Sequence, residues 1–369
     1  MAVPYPVHRR QIESVLLAWG MRPADAGRTA AALGWADLHG VESHGISMLV
    51  EYDQRRRAGR LRMDATCRVV RETPVSLLLD GDGGMGHVAY AMAADRAIAK
   101  AKEGGIAVAA VRNSSHFGAV GYYTLLAAET GLIGMGSTSA AGIRVAPTGG
   151  AEAKLGTDPW SFAAPSAAGR RPFLLDMATT AVAYGKIRNR MNEGQPMPQG
   201  WGLDSRGRAT TDPLDVTRHG GFMAPLGGTA EGGSYKGYGL SVMVNILSSC
   251  LSGATLITDP MHTKKPSGFD IGHFYLALDP ALFREPGEFE ADVATLCDAL
   301  RATRPTDEAA PVMVAGDPQW ATAEARSRDG VQVAPGLLAK LRQVAADAGV
   351  PFLLDDAPPG SGESRASAP

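Results

Sequence analysis

Apolar residues recur at helical spacing near the start of the chain and predict amphipathic helices over roughly 8–19 and 24–39, the second carrying Ala30, Leu33, Ala36 and Leu38 on one face. A third helix is expected near 46–58 and should stop before Gly59, a residue suited to a helix C-cap. The period then changes. CRVVRE (67–72) and VSLLLD (75–80) read as strands, 87–103 as a helix and GIAVAAV (105–111) as a strand, which opens an α/β alternation. A helix over 119–130 and strands over 132–139, 160–166 and 173–179 continue it. Between about 190 and 234, Gly and Pro are too dense for a simple connector, so a functional loop system is expected. The most apolar helix, KGYGLSVMVNILSSCLSG (236–253), should be buried; a strand over 273–279 and a helix over 291–302 follow it. The terminal stretch, 355–369, has the Gly/Pro/Ser composition of a disordered tail.

The 369 residues suffice for two domains or one large one. Lys and Arg number 36 against 38 Asp and Glu, and the longest basic run is Arg55-Arg56-Arg57, so neither nucleic acid nor an anionic membrane is an expected partner. Cys67, Cys250 and Cys297 lie far apart without metal-ligand spacing, which predicts no disulfide framework and no metal site. The N-terminus lacks an apolar signal region and no window approaches 18 apolar residues, so a soluble cytoplasmic protein is expected.

Gly81-Asp82-Gly83-Gly84-Met85-Gly86 satisfies GxGxxG between a strand and a helix, the context of a dinucleotide fingerprint. The second strand of that unit, however, ends Val111-Arg112-Asn113 where an acid should hold a ribose, and Glu103 sits in a helix-terminating turn. A glycine-rich turn without a cofactor role is therefore the expectation.

Other residues carry chemistry. His116 follows a strand and precedes a helix, so its ring should project at the strand's carboxyl end, where α/β sites form, and histidine titrates near neutral pH. A polar loop histidine would look the same. Ser43 and His44, in VESHGISM, either handle substrate or satisfy the last carbonyls of the preceding helix; no GxSxG elbow surrounds Ser43, which argues against a hydrolase. Asp176 ends a strand and could bind a ribose or cap the next segment. Lys236 stands in a glycine-rich approach to a helix, where a cation opposes the helix dipole unless an anion is near.

Taken together, VESHGISML, NSSHFGAVGYY (113–123), LGTDPWSFAAP with LLDMATTAVAYGKI (155–187), GGSYKGYGLSVMVNILSSCLSGA (232–254) and GHFYLALDP resemble the malate/L-lactate/ureidoglycolate dehydrogenase family. The likeness runs from about residue 8 to 350 in the family's order. It implies an α/β fold whose nicotinamide-binding domain is not a Rossmann fold, with NAD or NADP as cofactor, a small 2-hydroxy or 2-oxo acid as substrate, and a homodimer. The organisation expected is a helical substrate and dimerisation region (1–70), a central α/β cofactor domain (71–255) and a C-terminal part packing back on the first (256–354). By resemblance His116 is the proton donor and acceptor, with Ser43 and His44 beside it in the active site. The same likeness assigns cofactor contacts to Gly118, Ala119, Val120, Asp176, Met177, Ala178 and Lys236, and less securely to Ser139. Cyclic imino-acid reduction on the same fold is the alternative, and a non-catalytic dinucleotide-binding protein the third reading.

Departures bear on substrate. Where many members carry a carboxylate-binding arginine, this chain has Met48, and a thioether cannot make a bidentate contact. Arg144 is the expected replacement, ahead of Arg55, Arg56 and Arg57, and Tyr52 one turn on could add a hydroxyl. Asp158 stands where an asparagine is common, placing a charge near the cofactor.

Overall fold

The computed structural model describes residues 1–140, 142–259 and 270–355; apart from Asp355, the tail expected to be disordered lies outside the described residues. β1 (Ala2–Val3) precedes α1 (Tyr5–Ala18) and α2 (Pro23–Leu38), and a 3-10 turn (Glu42–His44) leads into α3 (Met48–Arg57). Next come β2 (Arg68–Thr73), β3 (Ser76–Asp80), α4 (Gly86–Gly104), β4 (Ile106–Ser114), α5 (Val120–Ala128), β5 (Ile133–Thr138), β6 (Trp160–Ala164) and β7 (Phe173–Met177). The Gly/Pro-dense region is a small folded unit: α6 (Tyr184–Asn192), β8 (Gly202–Leu203), β9 (Ala209–Thr210), α7 (Pro213–Thr217) and β10 (Phe222–Met223). It closes over its own cluster of Val145, Leu155, Val182, Ile187, Met197 and Met223, which the sequence concealed because its strands are two residues long. α8 (Ser234–Asn245) runs on through a π turn (Ile246–Cys250), and β11 (Ile271–Leu278), α9 (Glu288–Arg301), α10 (Asp317–Asp329), β12 (Val331–Gln332) and α11 (Pro335–Ala348) complete the chain.

Seven strands form the central sheet in the order β2-β3-β4-β11-β5-β6-β7. Only β3 and β4 pair in parallel, joined by α4; the other neighbours are antiparallel. A doubly wound nucleotide fold needs a run of parallel strands, so the topology agrees with a non-Rossmann domain. β11 threads between β4 and β5, with His273 opposite Val111 on one side and Thr138 on the other. The carboxyl ends of β4, β5 and β7 therefore lie along one edge of the sheet with the start of β11 among them. That edge carries the site.

Beneath it lies an aromatic cluster. Tyr90 stacks on Phe117 at 4.1 Å and meets Tyr123 and Tyr275 edge-on at 4.9 and 5.7 Å. Each phenol finds a backbone acceptor: Tyr90 donates to Phe274 (2.8 Å), Tyr275 to Tyr123 (2.9 Å) and Tyr123 to Phe117 (3.2 Å). Buried rings with satisfied hydroxyls hold one arrangement, and here they fix the backbone at Phe117, next to His116.

The N-terminal helices pack with the C-terminus: β1 pairs with β12, and Ile12, Leu16, Leu33, Met48 and Leu49 share a core with Leu341, Val344 and Leu354. The segment expected as a C-terminal unit is thus divided, β11 belonging to the central sheet and α11 to this helical core.

The apolar helix corrects an expectation. α8 and its π turn bury Ser234, Ser241, Ser248 and Ser249, while Tyr235, Ile246 and Leu251 are 60, 53 and 57% exposed. Close approach to the sheet explains the inversion: Ser248 Oγ lies 2.9 Å from Ser137 Oγ, and a Cβ on Gly272 would stand 1.9 Å from the Ser248 carbonyl oxygen. Apart from Val244, the residues buried on that face are small. No helix among the described residues is long and apolar enough to cross a membrane.

Candidate active site

The SHG loop is gripped from behind. Asp37, at the end of α2, accepts the Ile46 N–H at 2.6 Å and lies 3.0 Å from His8 Nε2. Its carboxylate sits about where a Cβ on Gly45 would go, at 2.0 Å, so glycine is required there. Arg326 of α10 donates to the Asp37 carbonyl and to the Glu42 carboxylate. The last carbonyls of α2 are taken by the N–H groups of His39, Gly40 and Val41, not by Ser43 or His44. The helix end thus does not occupy those two side chains. Ser43 Oγ bonds to His44 Nδ1 at 2.8 Å.

His116 lies where β4 ends. Its Nδ1 is 2.7 Å from the Tyr52 hydroxyl and accepts the Gly118 N–H at 3.3 Å, and its ring stacks on His44 at 5.3 Å between centroids. Burial, then the neighbouring His44, holds His116 well below the usual histidine range, and burial likewise lowers His44. Both rings rest neutral at pH 7, and a neutral imidazole is able to take up a proton.

Two cavities meet beside this pair, at His44. One, of about 340 Å³, is lined by His44, Glu51, Arg55, His116, Ser139 and Arg144 among others. The second, a cleft of about 380 Å³, runs past Ser43, Gly118, Ala119, Val120, Asp176, Met177 and Ala178. His44, Gly118, Thr157 and Pro159 belong to both. Asp176 borders the open cleft yet is ringed by protein; that surrounding raises its carboxyl to about 6, against the pull of the Gly121 N–H it accepts at 2.7 Å. A Cβ on Gly121 would stand 2.9 Å from that carboxylate, so the helix start approaches it only as glycine.

A general description of the malate/L-lactate dehydrogenases matches residues 3–342. The chain belongs to that family. Malate dehydrogenase of Pyrococcus horikoshii is 38% identical over 340 residues, 92% of this chain and 93% of that protein. The crystal structure of malate dehydrogenase from Entamoeba histolytica superposes with a TM-score of 0.90 at 32% identity, over 95% of this chain and 99% of that one. A delta1-piperideine-2-carboxylate reductase from Pseudomonas syringae pv. tomato has TM-score 0.81 at 26% identity, covering 94% and 100%. The protein is therefore an oxidoreductase of the hydroxy acid dehydrogenase family, acting on CH–OH groups, and the family implies a nicotinamide cofactor.

For a malate/L-lactate dehydrogenase family member, the expected residues divide. The cleft gathers Gly118, Ala119, Val120, Asp176, Met177 and Ala178, and its small side chains with one carboxylate fit a dinucleotide and its ribose. Ser139 lines the other cavity, its hydroxyl engaged with the Gly272 backbone at 3.2 Å. Met48 packs into the helical core and lines neither cavity, nor does exposed Lys236, whose Nζ lies 5.8 Å from the Tyr235 ring. Tyr52 is buried behind His116. Asp158 is buried too: its carboxylate accepts from Ala140 N–H (3.0 Å), Gly156 N–H (3.1 Å) and Ser241 Oγ (2.6 Å), and burial raises its pKa. It ties the cavity-lining loops to α8.

Arg55, ranked behind Arg144 in the sequence, also reaches the site. Its side chain is 14% exposed, lines the first cavity and pairs with Glu51. The signal was present in the spacing 48, 52, 55, which places Arg55 on the face of α3 that carries Tyr52. Arg56 and Arg57 pair instead with Asp53. Arg144 also reaches the cavity, its guanidinium 4.4 Å from the Tyr184 ring centroid.

Proposed function

We propose that the protein interconverts a small 2-hydroxy acid and the 2-oxo acid, with His116 as general base in oxidation and general acid in reduction. The observation that carries this is a neutral, deeply set His116 in the wall of the first cavity, stacked on His44, which both cavities share. The cleft residues, with Asp176 toward a ribose, would hold NAD or NADP, which when bound supplies or accepts the hydride. His116 takes the hydroxyl proton; His44, oriented by Ser43, lies alongside to position the substrate oxygen. Arg55 and Arg144 supply cations for the substrate's acid groups, and Glu51 keeps the first of them in place. Two guanidinium groups in one cavity favour an acid with a second anionic group over lactate.

A cyclic imino acid is the second reading, supported by the likeness to the piperideine-carboxylate reductase and by the Ser43–His44 contact at 2.8 Å. Reduced-nicotinamide absorbance with NAD and NADP over a panel of hydroxy, oxo and cyclic imino acids separates the two. Turnover of imines alone would overturn the first reading. Cofactor binding without turnover of any panel member, together with indifference to His116→Ala, would overturn both.

We also propose that the chain works as a homodimer through the exposed apolar face of α8. Tyr235 on α8, Ile246 on its π turn and Leu251 just beyond are exposed apolar side chains that water solvates poorly. Sedimentation of the wild type should give twice the chain mass, and Ile246→Glu with Leu251→Glu should give the single mass.

A further inference from the structure

We propose that the Tyr52 hydroxyl is the tautomer switch of His116: donating to Nδ1 it parks the ring in a form that cannot take a hydroxyl proton, and accepting from Nδ1–H it turns Nε2 into the base. This rests on the acid/base reading of His116, and it makes Tyr52 a positioning residue rather than a substrate contact.

The argument begins with what faces Nδ1. The Gly118 N–H at 3.3 Å can only donate, whereas the Tyr52 hydroxyl at 2.7 Å can donate or accept. While both donate, the Nδ1 lone pair is used and the neutral ring keeps its hydrogen on Nε2, the nitrogen left for the cavity. Such a ring can give a hydrogen bond to a carbonyl oxygen, but Nε2 has no lone pair for a hydroxyl proton.

Oxidation needs the other tautomer. Exchange of the ring proton with water in the cavity places hydrogen on Nδ1, and the phenol turns so that its oxygen accepts it. The competing Gly118 contact is the longer of the two, so its loss opposes the reversal weakly. When the hydroxy acid is oxidised, its hydroxyl proton passes to Nε2, while a nicotinamide held in the cleft would take the hydride. The ring becomes an imidazolium whose Nδ1–H is held by Tyr52, and the proton then goes to solvent. Reduction runs the same steps backwards from the imidazolium. In both directions the working ring has Tyr52 as acceptor.

Tyr52 does not itself ionise. It is fully buried and burial pushes its phenol far above the usual range, so it turns a hydrogen bond round without yielding a proton. His87 packs edge-on to the Tyr52 ring at 5.8 Å between centroids, and neither of its ring nitrogens has a partner among the described residues. Burial holds His87 and His273 neutral, at about 3. The remaining groups around His116 are His44 from the SHG loop, Glu51 and Arg55 from α3, and Arg144 across the cavity. A substitution at Tyr52 removes none of these groups.

The test is Tyr52→Phe, which keeps the buried ring and removes the oxygen. Without an acceptor for Nδ1–H, the imidazolium and the base tautomer both lose support while Gly118 N–H remains. The plateau of kcat/KM for hydroxy-acid oxidation should fall about 10- to 100-fold, the loss of one charge-assisted hydrogen bond, and its acidic limb should move to lower pH. Nitrogen-15 spectra of histidine-labelled protein, with His116 assigned by its absence in His116→Gln, should find the resting wild type protonated on Nε2. A lower plateau with an unmoved limb would reduce Tyr52 to a packing residue and overturn the proposal, as would a resting Nδ1–H tautomer. Full activity in His116→Ala would instead overturn the acid/base reading itself. If Tyr52→Phe behaves as wild type while His116→Ala is inactive, only the switch is wrong.

Discussion

Two glycine-bearing turns connect strand to helix on the same sheet edge, and they serve opposite ends. The β3–α4 turn, 81–86, spells a nucleotide motif but is filled by protein: Ser115 Oγ accepts the Gly86 N–H at 3.1 Å, Gly83 N–H bonds to the Asn113 carbonyl at 2.8 Å, and a Cβ on Gly84 would stand 2.4 Å from that of Ala65. The β4–α5 turn, 116–120, spells no nucleotide motif, yet Gly118 opens onto both cavities. A phosphate needs uncovered N–H groups, and in the first turn they already have partners. Asn113, where an acid was missing, has φ 50° and donates its side-chain amide to Asp80 at 2.9 Å, so that strand end closes the turn. A glycine motif therefore reports close packing; whether a ligand or a neighbouring strand comes close depends on what else reaches the spot.

The comparison is broken most directly at His116. His116→Ala should lower kcat by about 10²- to 10⁴-fold, the usual weight of acid–base catalysis, with the thermal midpoint little changed; steady-state rates beside a melting curve check it. Arg55→Met should raise KM by about 1.5–3 kcal/mol of binding with kcat largely kept, because a charged hydrogen bond to the substrate is lost. An unchanged KM would return the carboxylate to Arg144, for which Arg144→Met is the matching measurement. The two glycines should then separate. Gly86→Ala drives a Cβ to 2.0 Å from the Ser115 carbonyl and should cost about 1–3 kcal/mol of stability without altering cofactor KM in the folded protein. Gly118→Ala, at φ 81° with a Cβ 3.1 Å from His87 Nε2, should cost about 1 kcal/mol of stability and raise cofactor KM. A reversed pattern in urea melts and cofactor titrations would restore the motif to the first turn.

A further effect concerns pH. His87 and His273 have folded values of about 3, below the unfolded value near 6.5, so the stability they support is complete above pH 6.5 and lost as pH falls toward 3. Each should withdraw about 1.4 kcal/mol per pH unit in that window. Urea midpoints at pH 6 and 5 should therefore diverge less for His87→Leu than for the wild type.

Long periodic segments were legible in the sequence. α2, α4 and β4 lie within a few residues of their expected bounds, because one apolar stripe or run dictated each. Partnership was not legible. Nothing local to residues 271–278 says that the strand inserts between β4 and β5, and nothing in the composition of α8 says that its serines face inward, since both depend on how closely distant backbones approach. In the site, His116, His44 and the 118–120 start could be read from their segments. Arg55 could not be ranked above Arg144 until the cavity gave α3 a direction, and Tyr52 changed from pocket hydroxyl to partner of His116 for the same reason.

The place of β11 bears on how the enzyme is made. His116 and Ser139 follow closely on the two strands that flank it, and both leave the ribosome more than a hundred residues before it does. Until the middle strand arrives, those two edges have no ladder to join them, and non-local pairing of this kind is slow to form. A nascent chain of 270 residues would hold every proposed catalytic side chain and still lack the strand that brings them together. Its exposed edges would make it a client for chaperones.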